Sequence, residues 1–374
     1  MVNEIVIIGL LVLIAFTIFY CIHSAYRLQL DEAYIKKVVE DARKKFNVPA
    51  VTVNVMDSKQ ILYSVYNGVR VTGTSEYVTE EDYFHIGSCS KIVLAFIAAK
   101  LVGENAIDWD TKFFDLYPEL KTKSREEYYN ITLEDLLTWT AGIQAYTSGD
   151  EAYPELSDSD NQKLAFAQYL LQLEPSAKGT ASGKFEYLYS NASYSIADVM
   201  LEKASGLSYE ALLNKYIVKA MGLKVLIGWP YQIDRAQPWG HYQNKDGSLE
   251  IVGPDADYAL NPLINAAGNL SMKSKDFAKF IQFYMKGLGE KNAHLSSENL
   301  QYIHSKILGY KTLQGKSYAC FDGSAGTFYA RGMVMPKSDF GLSIIINNGS
   351  AKAVDYIAAK LVKAQYKLWW RFWE

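Results

Sequence analysis

Apolar and polar positions recur along this chain with distinct periods, and each period predicts an element. The densest apolar stretch, Ile5 to Ile22, is 18 residues without a charge, long enough to cross about 27 Å of hydrocarbon as a helix. It predicts an N-terminal membrane anchor within residues 1–27, uncleaved because neither a basic leader nor a small-residue cleavage site accompanies it. From Asp31 to Phe46 the period becomes that of an amphipathic helix, with Ala33, Ile35, Val38, Val39, Ala42 and Phe46 on or near one face. Val51–Met56 and Ile61–Tyr66 read as strands joined by a polar turn at Asp57–Gln60, and Asn67-Gly68 signals a turn toward a third.

After Phe84-His85-Ile86-Gly87-Ser88-Cys89-Ser90-Lys91 comes the apolar run Ile92–Val102, the pattern of a buried helix opening on small polar residues. Up to about Tyr310 the spacing is mainly helical. Leu133–Thr138 follows a capping-type start at Thr132, Ser190–Gly206 and Ser208–Met221 end at or near glycines, and Ser274–Met285 is a further helix. Strand character returns at Ser317–Phe321, Thr327–Met335 and Phe340–Asn347, before a last helix over Ala353–Trp370. Its aromatics Tyr366, Trp369, Trp370, Phe372 and Trp373 suit packing on the body or contact with a membrane surface.

Strands near both ends with helices between predict an α/β chain of the α+β kind: one antiparallel sheet assembled from both ends, terminal helices on one face and a helical insertion on the other. The expected division is an anchor at 1–27 and a domain at 28–374, with a sheet subdomain at about 28–85 and 311–374 and a helical subdomain at about 86–310.

Composition narrows the function classes. The 374 residues suffice for a large core, and 28 Tyr, 16 Phe and 21% charged residues describe a folded globular protein. A net charge of −3 offers no basic field, so no nucleic-acid partner is expected. Cys21, Cys89 and Cys320 make neither a disulfide framework nor a metal site, and the five histidines are dispersed. No metal and no cofactor are expected.

Ser88 and Lys91 lie three apart at the start of the buried helix, so they share a face. A serine hydroxyl needs a base, and a lysine can be one if burial keeps it neutral. The same pair also suits a helix cap followed by a solvated lysine. Tyr189-Ser190-Asn191 sits in a polar loop before a helix: a tyrosine can pass protons, and an asparagine amide can orient a lysine or bind a carbonyl. A packed tyrosine and a capping asparagine would give the same letters. Phe321-Asp322-Gly323-Ser324-Ala325-Gly326 could present backbone N–H groups to an oxyanion, or form a plain hairpin turn.

Together these elements resemble the penicillin-recognising serine hydrolases, close to class C β-lactamases and their esterase and D-alanyl-D-alanine carboxypeptidase relatives. The resemblance covers about Ile35 to Leu361. It rests on Phe84–Lys91, Ile131–Ile143 and Tyr189–Tyr194, with support from Glu202–Gly206, Ala266–Leu270 and Gly341–Asn347. It implies that Ser88 attacks a carbonyl, that Lys91 helps remove its proton, that Tyr189 acts as general base and then acid, and that Asn191 orients side chains and substrate. It places the oxyanion hole at the backbone N–H groups of Ser88 and Ser324, with Asp322, Gly323 and Ser324 along the substrate.

Two departures from that family's pattern stand out. Phe321-Asp322-Gly323 replaces a Lys or His, a small residue and Gly, so the cation that helps bind a carboxylate is missing, and Asp322 is expected to repel such an anion. Trp139 replaces a common histidine. The expected activity is therefore a membrane-anchored serine hydrolase working through an acyl-enzyme on a small-molecule or peptide ester or amide, and a poor β-lactamase. The alternative is an inactive relative that binds a cell-envelope component or protein partner. Arg27, Lys36 and Lys37 after the apolar span favour a cytoplasmic domain by charge bias. The resemblance favours an extracytoplasmic one, the expectation adopted, and oligomeric state stays open.

Overall fold

The computed structural model of the protein describes residues 30–149, 151–156, 161–286, 295–308, 311–313 and 316–365. The apolar span Ile5–Ile22 and the aromatics from Tyr366 onward lie outside the described residues. Among the described residues no helix is long and apolar enough to cross a membrane.

The first helix, α1 (Glu32–Lys45), starts where Asp31 accepts from the Tyr34 N–H at 2.8 Å and buries Ile35, Val38, Val39 and Ala42. Strands β1 (Ala50–Met56) and β2 (Ile61–Gly68) follow as the alternation predicts. The third strand signalled by Asn67-Gly68 does not join them. Gly68, at φ +98°, lies so close to Pro49 that a Cβ there would fall 1.9 Å from the Pro49 carbonyl oxygen, and the chain leaves the sheet. The other neighbour of β1 comes from the far end of the sequence.

That end supplies β8 (Lys311–Leu313), β9 (Lys316–Ser324), β10 (Tyr329–Met335) and β11 (Phe340–Ile346). Among the described residues six strands form an antiparallel sheet in the order β2-β1-β11-β10-β9-β8, so both chain ends do build one sheet. One face packs on α1 and the last helix, α6 (Ala351–Gln365), through Val51, Val53, Val55, Leu342, Ile344 and Ile346. On the other face the central strands carry polar groups, each one matched. Asn54 Nδ2 donates to Ser274 Oγ and Ser343 Oγ, both at 2.9 Å, and Ser274 Oγ donates to Thr52 Oγ1 at 2.8 Å. This seam fixes the start of α5 (Ser274–Lys286) on the sheet, since a buried polar group left unpaired is costly.

Between the two halves lie α2 (Ser90–Gly103), the short α3 (Leu133–Leu137) and α4 (Asn191–Ser205). Thr132 and Asp135 form a reciprocal capping box on α3, and α4 runs from a Ser190 cap to Gly206 at φ +69°. Two small sheets were not foreseen: β3 (Tyr83–His85), β7 (Leu270–Lys273) and β4 (Val225–Ile227) in the order β3-β7-β4, and the pair β5 (Gly240–Gln243) and β6 (Leu249–Val252). Strands of three or four residues are too short to show an alternation. The helix predicted over Ser208–Met221 is α-helical at Tyr209–Leu213 and widens into a π-helix at Asn214–Lys219.

Candidate active site

The site forms where the small sheet hands the chain to α2. His85 closes β3, and the chain turns through a 3-10 segment, Gly87–Cys89, into a helix that is apolar on all sides. A helix buried all round can hold polar groups only where they are matched. Here Ser90 Oγ donates to Gly87 O at 2.7 Å and accepts from the Leu270 N–H at 3.1 Å, stitching the helix start to β7. His85 receives the Gly87 N–H on Nδ1 at 3.2 Å, which leaves the proton on Nε2 to donate to Asn269 Oδ1, also at 3.2 Å. Burial lowers its pKa to about 4, so it stays neutral. Cys89 is inert: buried, with Sγ against the Phe321 and Ala330 carbonyls and its thiol pKa pushed well up by burial.

Ser88 and Lys91 meet as their spacing predicts, with Lys91 Nζ 3.1 Å from Ser88 Oγ. Lys91 is not the solvated lysine of a helix cap, for it is 3% exposed. Its Nζ also lies 2.6 Å from Asn191 Oδ1 and 2.6 Å from Ala267 O. Burial lowers its pKa from 10.5 to about 7. A neutral amine has two N–H groups and one lone pair. Asn191 and Ala267 offer only acceptor oxygens, so they take both N–H groups, and the lone pair is left for the Ser88 hydroxyl proton.

Tyr189 reaches the same serine from a different part of the chain, its hydroxyl donating to Ser88 Oγ at 2.8 Å. Burial raises its pKa to about 12 against the opposing effect of that bond. The tyrosine is the protonated partner and the lysine the one poised to lose its charge. Asn191 is gripped on both amide atoms, Oδ1 by Lys91 and Nδ2 by donation to Tyr146 O at 2.7 Å. One amide hydrogen remains for a ligand.

On the opposite side the end of β9 lies hard against the 3-10 turn. A Cβ on Gly323 would fall 2.0 Å from Ile86 O and 2.8 Å from the Ser88 nitrogen; one on Gly87 would fall 2.7 Å from the Ser324 nitrogen. Only two glycines allow this backbone-to-backbone approach, which packs the turn at Ser88 against the strand end at Ser324, the closeness that an oxyanion pair of backbone N–H groups needs.

Asp322 corrects an expectation. Successive residues of a strand point to opposite faces, and because Gly323 faces Ser88, Asp322 faces the other way. There it is bound by Arg331 through two bonds, Nε to Oδ1 at 2.6 Å and Nη2 to Oδ2 at 2.9 Å, and Arg331 Nη1 also donates to Asp355 Oδ1 of α6 at 2.7 Å. The carboxylate is neutralised across the sheet and does not guard the cleft. Phe321, on the Gly323 face, is 7% exposed and turned into the core beside Tyr284 and Gly332.

With this geometry in place, comparison with known proteins is decisive at the level of the family. The profile of the Beta-lactamase family matches residues 35–364. The chain belongs to the beta-lactamase family. A curated relative, a β-lactamase of Providencia stuartii, is 22% identical over 289 residues, 76% of this chain and 67% of that protein. An unguisins hydrolase of Aspergillus violaceofuscus is 23% identical over 270 residues, 68% of this chain but only 45% of its own length. Among solved structures, a class C β-lactamase superposes with a TM-score of 0.70 at 21% identity, covering 89% of this chain and 99% of that one. The fold of this family member is thus the class C β-lactamase-like arrangement of antiparallel sheet and helices, and serine hydrolysis is the chemistry of its family.

Sequence reasoning named Ser88, Lys91, Tyr189 and Asn191, which the structure brings together, and Gly323 and Ser324, which it places against them. It missed His85 and the Ala267 carbonyl, which act through backbone and burial, and the hold that Trp139 and Tyr146 exert on the Tyr189 loop. The signal for Trp139 was present as a departure from the family pattern.

Proposed function

We propose that this protein is a serine hydrolase that forms an acyl-enzyme on Ser88 with a neutral ester or amide, and that it is a poor β-lactamase. The observation that carries the reading is the Ser88 hydroxyl held between a buried amine at 3.1 Å and a phenol at 2.8 Å. The difference in acidity between those two assigns the steps. Neutral Lys91 takes the Ser88 proton as Oγ bonds to the substrate carbonyl carbon, and the Ser88 and Ser324 N–H groups receive the oxyanion. Tyr189 then gives its proton to the leaving oxygen or nitrogen, which leaves a tyrosinate beside the Lys91 ammonium. Water attacking the acyl-enzyme reverses the roles and frees the acid. This order refines the expectation of tyrosine as the first base, since a phenol near 12 is the weaker candidate at neutral pH.

Preference for an uncharged substrate follows from the end of β9, where Phe321 takes the sequence position of a cation but is packed into the core, so no positive side chain there meets a carboxylate. An apolar N-terminal anchor, supported by Ile5–Ile22, with the domain outside the cytoplasm, supported by the family resemblance against the charge bias of Arg27, Lys36 and Lys37, completes the proposal. The test is intact-protein mass spectrometry after exposure to a fluorophosphonate and then to a panel of acyl esters and penicillins. Stoichiometric adducts from the fluorophosphonate and neutral esters, absent in Ser88→Ala, are expected; failure of the folded wild type to react would leave the non-catalytic binding protein as the better account.

A further inference from the structure

Segment 139–146 runs beside loop 185–191 and is hydrogen-bonded to it almost residue by residue. Phe185 N–H donates to Thr140 O at 2.9 Å, Leu188 N–H to Trp139 O at 2.9 Å, Ser190 Oγ to Gln144 O at 2.6 Å, and Asn191 N–H to Ala145 O at 2.7 Å. Trp139 adds a bond of its own, its indole Nε1 donating to Ser190 O at 3.2 Å. The two residues flanking Tyr189, Leu188 and Ser190, are therefore both tied to Trp139, one through its carbonyl and one through its ring. That ring also packs on Tyr189 itself, with centroids 5.0 Å apart and planes tilted by 40°, and against Tyr187 and Tyr194 at 5.8 and 5.6 Å.

The backbone at this point is unusual. Trp139 has φ +59° and Tyr146, whose carbonyl holds Asn191 Nδ2, has φ +49°. Bulky side chains seldom take such angles, and residues held there cluster at sites where geometry matters. Tyr189 presents its hydroxyl at the end of a long lever, so a swing of about 10–20° exceeds the tolerance of acyl transfer.

We propose that Trp139 is a positioning residue: it sets the approach of the Tyr189 hydroxyl to Ser88 by clamping both peptide neighbours of Tyr189 and bracing its ring. This rests on the hydrolase reading for its kinetic consequence and on geometry alone for the clamp.

The experiment measures acylation of the full chain by a neutral alkyl ester probe, whose leaving alkoxide needs the Tyr189 proton, separating the first-order constant from the binding constant, for wild type, Trp139→Phe and Trp139→Ala. Trp139→Phe keeps a ring but no N–H; it is expected to lower the first-order constant about 10-fold, and Trp139→Ala about 100-fold, with binding changed less than about twofold. In a Tyr189→Phe background both losses should shrink to within about twofold, because no phenol remains to be placed. Full-sized losses in that background, or an unchanged first-order constant in Trp139→Phe, would overturn the proposal. Hydrogen exchange at Leu188 and Asn191 is read on the same folded Phe variant. If the wild type never reacts with the probe, the hydrolase reading falls, and exchange decides the clamp: faster exchange confined to 187–191 supports it, unchanged protection refutes it.

Discussion

The two walls of the Ser88 cleft are built differently. On the wall made by the start of α2 and the Tyr189 loop, side chains carry the proposed chemistry, and each is held by another group: Lys91 by Asn191 and Ala267, Asn191 by Tyr146, Tyr189 by its bond to Ser88. On the wall made by the end of β9 the backbone alone meets the cleft. Gly87 and Gly323 keep the strand within touching distance of the turn, while Phe321 and Asp322 have left the cleft for the core and the far face of the sheet. The difference separates two jobs of the proposed site. Stabilising an oxyanion needs N–H groups, which any sequence supplies if glycines let the backbones meet; anchoring a charged substrate needs a particular side chain. A chain can give up the second and keep the first.

The sharpest way to break the comparison is to attack the backbone wall. Gly323→Ala would push a methyl within 2.0 Å of Ile86 O and 2.8 Å of the Ser88 nitrogen, and neither atom can rotate aside. Strand and turn must part, so ester turnover is expected to fall by about 10²–10³-fold, the cost of an oxyanion donor moved out of place. Steady-state kinetics on the folded variant checks it. A loss below about threefold would mean that β9 contributes no donor.

The side-chain wall is tested by pH. Because burial holds Lys91 near 7, acylation should rise with pH through about 7 and level off, falling about tenfold per unit below it as the amine is protonated and loses its lone pair. Lys91→Arg should lose that limb together with most of the rate. Stability follows the same group with a definite sign. Its folded pKa lies below the ordinary 10.5, so between about 7 and 10.5 the unfolded chain binds more protons and this residue makes the fold more stable as pH rises; below about 7 its penalty is constant. Melting curves from pH 7.5 to 9.5 should therefore rise less steeply in Lys91→Ala than in wild type.

How legible the molecule was follows the same division. The main sheet could be foreseen from both ends because β1, β10 and β11 are seven residues long and strongly apolar. Ser88, Lys91, Tyr189 and Asn191 could be named because their chemistry is written in residue type. What stayed hidden was whatever depends on direction or on backbone. The sheets of β3-β7-β4 and β5-β6 are too short to show a period, and the Ala267 carbonyl has no letter of its own. Asp322 read as a guard of the cleft because strand alternation fixes a face only once a neighbour's face is known, and Gly323, lacking a side chain, gave no such sign until Ile86 and Ser88 were seen packed against it.

The smallest effect separates the walls most cleanly. If Asp322 belongs to the far face, Asp322→Asn should cost stability without touching chemistry. The variant loses a two-bond pair with Arg331, although Arg331 keeps Asp355 Oδ1 at 2.7 Å. The Asp322 side chain is 38% exposed, so solvent screens the pair and the loss should be only about 0.5–1 kcal/mol by urea denaturation. Acylation by a neutral ester should stay within about twofold, and so should reaction with a penicillin, since no anion is being repelled. A marked gain in penicillin acylation, about tenfold or more, would put the carboxylate back in the cleft. The weak β-lactam recognition proposed above would then come from charge repulsion, where the inward turn of Phe321 and the loss of a cation are now the reason.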